Sequence, residues 1–242
     1  MSAAARIAGK VHKWLALAMA IQILFWFVSG LFFAAVPIEW VRSEHARAEL
    51  PVEKVATAQA ASGLARIAAA IPDADRIELR SLLGRPVALV ALGEERPRLF
   101  DLATGRSLAP IDAATATRIA ERDLAGEARA LRTVMVAKAS PEYRGALPAW
   151  RVDFEEGTSR SLYVAADTGT VAARRSTLWR VYDFLWSLHI MDFRNHEDFN
   201  TPLLIVATAL GLIVVLTGII LFPSRLGWNA WRRRRRIGRE QA

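Results

Sequence analysis

The sequence contains no cysteine. Disulfide bonds, thiolate metal sites and cysteine nucleophiles are therefore excluded. The absence does not identify a cellular compartment, because a domain outside the cytoplasm can fold without disulfide bonds.

Motifs of common enzyme classes are also missing. The sequence has no glycine-rich phosphate loop, no G-x-S-x-G, no H-E-x-x-H and no histidine pair with zinc-site spacing. It also lacks a dinucleotide-binding fingerprint. Any redox or metal chemistry must then come from the four histidines, which are His12, His45, His189 and His196.

Charge is unevenly distributed along the chain. The net charge is +8, yet residues 1–13 carry three basic side chains and no acidic one, and residues 223–242 carry seven arginines and one glutamate. The region between is almost neutral, so nucleic-acid binding is not expected. The arginine run 232–236 is either a topogenic cluster or a site for anionic lipids.

Apolar residues are in excess, at 53% of the chain. Residues 14–36 and 202–222 are uncharged runs of 23 and 21 residues, long enough to cross roughly 30 Å of hydrocarbon as helices. The first run exceeds the roughly 7–15 residues of a signal-peptide core, so we expect an uncleaved anchor. The basic flanks predict a bacterial inner-membrane protein with both termini in the cytoplasm and the central domain in the periplasm.

The central region repeats its own pattern. Two Thr-Gly turns, at 104–105 and 168–169, lie 64 residues apart. Each turn follows an alanine-rich amphipathic segment and then alternating segments that predict strands. The predicted helices are 52–70 and 112–124, with Asp112 and Thr115 as candidate caps, and the predicted strands are 76–82, 86–92, 130–138 and 149–154. The fold class is therefore α+β, with one helix and a small antiparallel sheet in each unit, and two units of this size are expected to share an interface.

The second unit carries a recognisable order of residues. The stretch 147–154 (LPAWRVDF) leads into 161–169 (SLYVAADTG), and this order resembles the PepSY domain family. The flanks 11–15 (VHKWL), 25–31 (FWFVSGL) and 181–192 (VYDFLWSLHIMD) are similar to PepSY-associated transmembrane proteins. The predicted order is a cytoplasmic N-terminus (1–13), transmembrane helix (14–36), linker (37–50), first PepSY-like unit (51–110), second PepSY-like unit (111–175), juxtamembrane aromatic helix and loop (176–201), transmembrane helix (202–222) and basic cytoplasmic tail (223–242).

The histidines are the candidate cofactor ligands. His45, His189 and His196 are predicted on the outer side of the membrane and His12 at its cytoplasmic side. Two histidines at one depth can ligate haem iron, so His45 and His189 are predicted axial ligands of a b-type haem, with Asp192 orienting His189. His12 needs a second chain, which a homodimer would provide. The resemblance adds weight, because larger members of this group include haem-containing reductases of ferric siderophores.

Two patterns have competing interpretations. One face of the first span carries His12, Leu15, Met19, Gln22, Trp26, Ser29 and Phe33, and the second span offers Ala207, Gly211 and Gly218 on one face. These faces indicate either helix packing or a cofactor-lined surface. The stripe of Trp179, Tyr182, Trp186, His189 and Phe193 is either an interfacial aromatic belt or a haem contact. Residues 192–200 are either a cation site or a solvated linker in which Asn200 or Thr201 caps the second span.

Three functions remain open at this point. The first is transmembrane electron transfer through haem to a ferric or flavin acceptor, with a separate cytoplasmic flavoprotein as reductant. The second is a membrane-tethered periplasmic binding or regulatory module, which the resemblance also implies because PepSY domains occur as inhibitory segments of secreted peptidases. The third is a structural subunit of a membrane complex.

Overall fold

The structure is a computed structural model that describes residues 3–50, 55–154 and 160–225. The chain divides into two compact units, one formed by Met1–Ala35 with Asp183–Ala242 and the other by Val36–Tyr182. The predicted combination of two apolar helices near the termini and two small antiparallel sheets between them is confirmed.

The two apolar helices pack against each other. Helix α1 spans Ala3–Ala35 and α6 spans Pro202–Arg225, and each contains a stretch long and apolar enough to cross a membrane. Large apolar side chains on their outer faces are exposed, as lipid contact requires. Helix α1 extends beyond the predicted span because its polar first turns contain good helix formers. It ends before Pro37, which disfavours helical backbone in the preceding residue.

The start of α6 has a defined cap. The hydroxyl of Thr201 accepts a hydrogen bond from the amide of Leu204 at 3.2 Å. Pro202 occupies the first helical position, where its missing amide hydrogen costs nothing. Of the two predicted caps, Thr201 is the one used.

The first sheet-containing half begins with a short segment, α2 (Ile38–Val41) and the 3-10 turn Glu44–Ala46. Helix α3 (Thr57–Ala70) follows, and then strands β1 (Arg76–Leu82), β2 (Arg85–Ala91) and β3 (Arg98–Asp101) pair in the order β1-β2-β3. Ile67 of α3 packs with Ala88 and Val90 of β2 in a buried cluster. Part of the predicted helix 52–70 lies outside the described residues.

The second half repeats the arrangement with one more strand. Helix α4 (Ala113–Asp123) precedes β4 (Ala130–Val136), β5 (Ala149–Phe154), β6 (Ser161–Ala165) and β7 (Val171–Arg175), which pair in chain order. The side chain of Asp112 accepts from the amide of Thr115 at 2.7 Å and caps α4. Thr115 therefore supplies the donor and is not itself the cap.

The two Thr-Gly turns have the same hydrogen bonds. In each of the segments 101–106 and 165–170, the amide of the fifth residue donates to the carbonyl of the first residue at 2.8 Å. The amide of the first residue donates to the carbonyl of the sixth residue at 2.9 Å. Gly105 has a φ of 71° and Gly169 a φ of 62°. Both turns need the left-handed backbone that glycine adopts without a steric penalty.

The two halves share one core. Val87 and Leu99 from the first sheet lie in the same buried cluster as Ile119, Val152 and Leu162 from the second half. The amide of Leu99 also donates to the carbonyl of Asp167 at 3.0 Å. A half of this size is too small to bury its own apolar residues, and the shared cluster supplies the missing cover.

Candidate functional site

The candidate site is centred on His189, near the end of helix α5 (Thr177–Ile190). The last four carbonyls of a helix have no partner within the helix. Here Trp26 of α1 donates its indole N–H to the carbonyl of His189 at 2.9 Å, and Gln22 donates its side-chain amide to the carbonyl of Leu188 at 3.4 Å. The polar side chains of the first span therefore hold the end of α5.

The ring of His189 is fixed by Ser29. Its Nδ1 lies 2.7 Å from the hydroxyl oxygen of Ser29, which is only 1% exposed. That hydroxyl has a single hydrogen, which it donates to the carbonyl of Phe25 at 2.6 Å. Nδ1 of His189 must then carry the hydrogen and donate it, which leaves a lone pair on Nε2.

The environment of His189 favours the neutral imidazole. Burial lowers the pKa of its side chain below the ordinary histidine value. Among the residues that the structure describes, its Nε2 has no hydrogen-bond partner. A neutral ring with a held Nδ1–H and an unused Nε2 lone pair is the form that ligates metal.

Aromatic rings surround this histidine. The ring centroid of Phe33 lies 5.5 Å away in an edge arrangement, and that of Trp186 lies 6.5 Å away in a stacked one. Trp186 in turn contacts Phe199 edge-on, with ring centroids 5.5 Å apart. Only part of the predicted stripe takes part, since Phe193 is 58% exposed.

His12 has a second, separate environment at the α1–α6 contact. Its Nδ1 lies 3.0 Å from the carbonyl of Val214 and 3.1 Å from the hydroxyl of Thr217. Because a carbonyl only accepts, Nδ1 carries the hydrogen here as well. A Cβ on Gly218 would lie 3.2 Å from Cε1 of His12, so glycine makes room for the ring.

The other residues predicted to pack between helices contact either the facing apolar helix or the end of α5. A Cβ on Gly211 would meet the Trp26 ring at 3.4 Å, and Ala207 is 6% exposed. Gln22 and Ser29 face the end of α5. The polar face of the first span is therefore occupied by protein contacts along its length.

Asp192 does not orient His189, and this prediction was wrong. Its carboxylate accepts hydrogen bonds from loop amides at 3.0–3.2 Å. These bonds, led by the one from Asp198, hold the pKa of Asp192 well below its usual range. The donors are the amides of Arg194, Asn195, Glu197 and Asp198. The role predicted for Asp192 belongs instead to Ser29.

His196 has a side-chain partner that the sequence did not reveal. Its Nδ1 lies 2.6 Å from a carboxylate oxygen of Asp183, and its carbonyl accepts from the Trp186 indole at 3.0 Å. Within residues 3–50, 55–154 and 160–225, no group of three or more histidine and acidic side chains is arranged to hold a metal ion. The 13-residue separation from Asp183 offered no recognisable pattern in the sequence.

His45 has its own local partner. It lies in the 3-10 turn Glu44–Ala46, and its ring stacks on that of Trp40 with centroids 4.5 Å apart. His45 belongs to the sheet-containing unit, whereas His12 and His189 belong to the unit of the apolar helices. As ligands, the imidazoles of His189 and His12 fit a haem iron, because each ring donates its Nδ1 hydrogen to a protein acceptor.

Comparison with known proteins identifies the family. No curated protein and no solved structure matches the chain. The pattern of the PepSY-associated TM region matches residues 10–242, which include both sheets, all of α6 and α1 from residue 10 onward. The chain is therefore a membrane protein that belongs to the PepSY-associated TM region family.

Proposed function

We propose that this protein is a component of transmembrane electron transfer that uses b-type haem. The observation that carries the proposal is the state of His189, a partly buried imidazole with Nδ1–H bound to Ser29 and with no hydrogen-bond partner for Nε2 among the described residues. Bound haem would supply a one-electron iron couple. The acceptor would be a ferric siderophore-like or flavin compound.

The residues around His189 would prepare it as an axial ligand. Ser29 fixes the tautomer and the ring orientation, and Trp26 fixes the backbone from which the ring projects. Phe33 and Trp186 exclude water from one side of the ring, which keeps the imidazole neutral. His45 stays a predicted ligand that the substitution series below tests.

A second haem site would use His12. Ser29 lies 17 positions after His12 on α1, which corresponds to roughly 25 Å along the helix axis. That separation is too large for both histidines to serve one iron. A homodimer would bring two His12 side chains together and complete a second site.

Orientation and partners follow from charge and from missing motifs. The positive-inside rule supports an inner-membrane protein with cytoplasmic termini, and the two sheet-containing halves would be periplasmic PepSY repeats. The chain has no dinucleotide-binding fingerprint, so a separate cytoplasmic flavoprotein would supply electrons. A homodimer or another membrane subunit is the expected partner within the bilayer.

The test is an absorption spectrum of the full chain, purified in detergent from haem-supplemented cells, before and after dithionite reduction. The wild-type protein should show a reduced b-type α band. His189→Ala, His12→Ala and His45→Ala would each remove the part of the band that depends on that ligand. His196→Ala is the control at the one histidine that the proposal does not assign to haem, and it should keep the full band. A flat visible spectrum from folded, haem-replete protein would refute the haem proposal.

A second candidate is a tethered binding module, which the edge of the second sheet favours. Strand β4 lies at the end of that sheet and exposes Leu131 at 66% and Met135 at 46%. Such an edge accepts an extended peptide by strand addition. A photo-crosslinker at Leu131 that captures one periplasmic protein, with no change in the histidine variants, would favour this function over electron transfer.

A further inference from the structure

A cleft of about 500 Å³ opens within the sheet-containing unit. One wall comes from the end of β1 and the turn after it, and another from the C-terminal part of α4. The turn before β7 and β7 itself complete the lining, together with Arg47 and Leu50 from the segment before α3. A volume of this size accommodates a small organic molecule.

Positive charge dominates this cleft. Its lining contains Arg47, Arg80, Arg122 and Arg174, and Asp123 is the one acidic side chain among the described residues that line it. The Arg174 guanidinium donates a hydrogen bond to each carboxylate oxygen of Asp123, both at 2.5 Å. Arg47 lies 4.0 Å from the same carboxylate and is 65% exposed. Asp123 thus pairs with Arg174 and Arg47, and the lining contains more guanidinium groups than carboxylates.

Arg80 shows this imbalance most clearly. It donates to the carbonyl of Thr168 and to the hydroxyl of Thr170, and both acceptors are neutral. Its Nε is buried and has no hydrogen-bond partner among the described residues. Burial lowers the pKa of Arg80, and the nearby Glu78 carboxylate opposes that effect only in part.

The rest of the lining is apolar. Leu79 and Leu82 of β1, Ile119 of α4 and Val171 of β7 contribute side chains to the same cleft. A ligand that fits both parts must combine a negative group with an apolar body. Guanidinium groups match the geometry of carboxylate and phosphate because they donate two parallel hydrogen bonds.

We propose that this cleft binds an organic anion in which a carboxylate or phosphate group is attached to an apolar body. A soluble metabolite and the headgroup region of an anionic lipid both offer this chemistry. The site is independent of the haem proposal, because it uses none of the histidines.

Phenyl phosphate is titrated into the full-length protein in nanodiscs of zwitterionic lipid, and its affinity is measured by calorimetry. Phenol is the neutral comparator and should bind at least about tenfold more weakly, because it cannot accept charged hydrogen bonds. Arg47→Gln and Arg122→Gln should each weaken phenyl phosphate about tenfold. Arg132→Gln is the matched control, since Arg132 is 63% exposed on β4 and does not line the cleft.

The outcomes separate the possibilities. No binding of phenyl phosphate, equal binding of phenol, or wild-type affinity in both cleft variants would overturn the proposal. If Arg47→Gln melts at the same temperature as the wild-type protein, its loss of affinity for phenyl phosphate does not come from a loss of folded structure. Repeating the titration in nanodiscs that contain phosphatidylglycerol identifies the source, because competition indicates a lipid headgroup and unchanged affinity indicates a soluble anion.

Discussion

At the scale of single residues, one hydroxyl group determines the chemistry of His189. Ser29 has one hydrogen and gives it to its own helix, so it can only accept from the imidazole. Ser29 on α1 therefore positions the ring of His189 on α5. Ser29 was predicted as a packing residue, and the hydrogen bond to His189 was not foreseen.

Ser29→Ala should weaken haem binding about tenfold, as loss of an outer-shell partner does, and should raise the haem reduction potential. The reason is that the imidazole loses its acceptor and donates less electron density. Haem titration and a redox titration measure the two effects. Ser187→Ala is the control, because the Ser187 hydroxyl is buried but donates to the carbonyl of Phe184. Unchanged affinity and potential in Ser29→Ala would contradict the assigned role.

Asp192→Asn should lower the thermal stability of the loop after α5 at neutral pH, because the carboxylate accepts four amide hydrogen bonds. The depressed pKa means that this stabilisation is complete above the ordinary aspartate pKa of about 3.9. It is lost as pH falls toward the pKa in the folded protein. The difference between variant and wild type should therefore shrink in acid.

Trp186 fluorescence reports on this loop, since its indole donates to the carbonyl of His196. Asp198→Asn is a matched control in the same loop, where the Asp198 side chain accepts from the Asn200 amide. If the difference in loop stability between Asp192→Asn and wild type stayed constant from neutral pH into acid, the ionised Asp192 carboxylate would not be the source of the stabilisation.

At the scale of elements, the close contact between α1 and α6 depends on glycine. Gly218→Val should destabilise the helix pair by about 1–3 kcal/mol, the usual cost of overpacking, because the new side chain meets the His12 ring. Gly30→Val is the control, since a Cβ at Gly30 meets nothing within 4 Å. Thermal unfolding in bicelles measures both variants. Equal stability of the two would show that the His12 contact does not constrain the helices.

Much of the element pattern follows from sequence periodicity. Strands β1 and β5 begin and end where alternation predicted them, and the positive φ of Gly105 and Gly169 follows from their turns. The partners of α5 could not be predicted in this way. Its end is held by Trp26 and Gln22, more than 160 residues earlier, and only tertiary structure brings such residues together.

At the scale of the whole molecule, the basic charge of both ends, compared with the nearly neutral region between them, predicts the topology. A membrane-impermeant maleimide should label Glu95→Cys in intact spheroplasts and Gln241→Cys only after permeabilisation. The absence of native cysteine makes each introduced thiol the only target. Labelling of Gln241→Cys in intact spheroplasts would contradict the proposed orientation.

The core shared by the two sheets also has a consequence for synthesis. The Leu99 amide bonds to the carbonyl of Asp167, a residue that the ribosome adds 68 positions later. At about 5–20 residues per second, the first half waits several seconds for its partner. During that interval Val87 and Leu99 have no cover from the second half. A nascent chain that contains only the first half therefore exposes these apolar side chains, and this is the stage of synthesis at which a chaperone would protect them most.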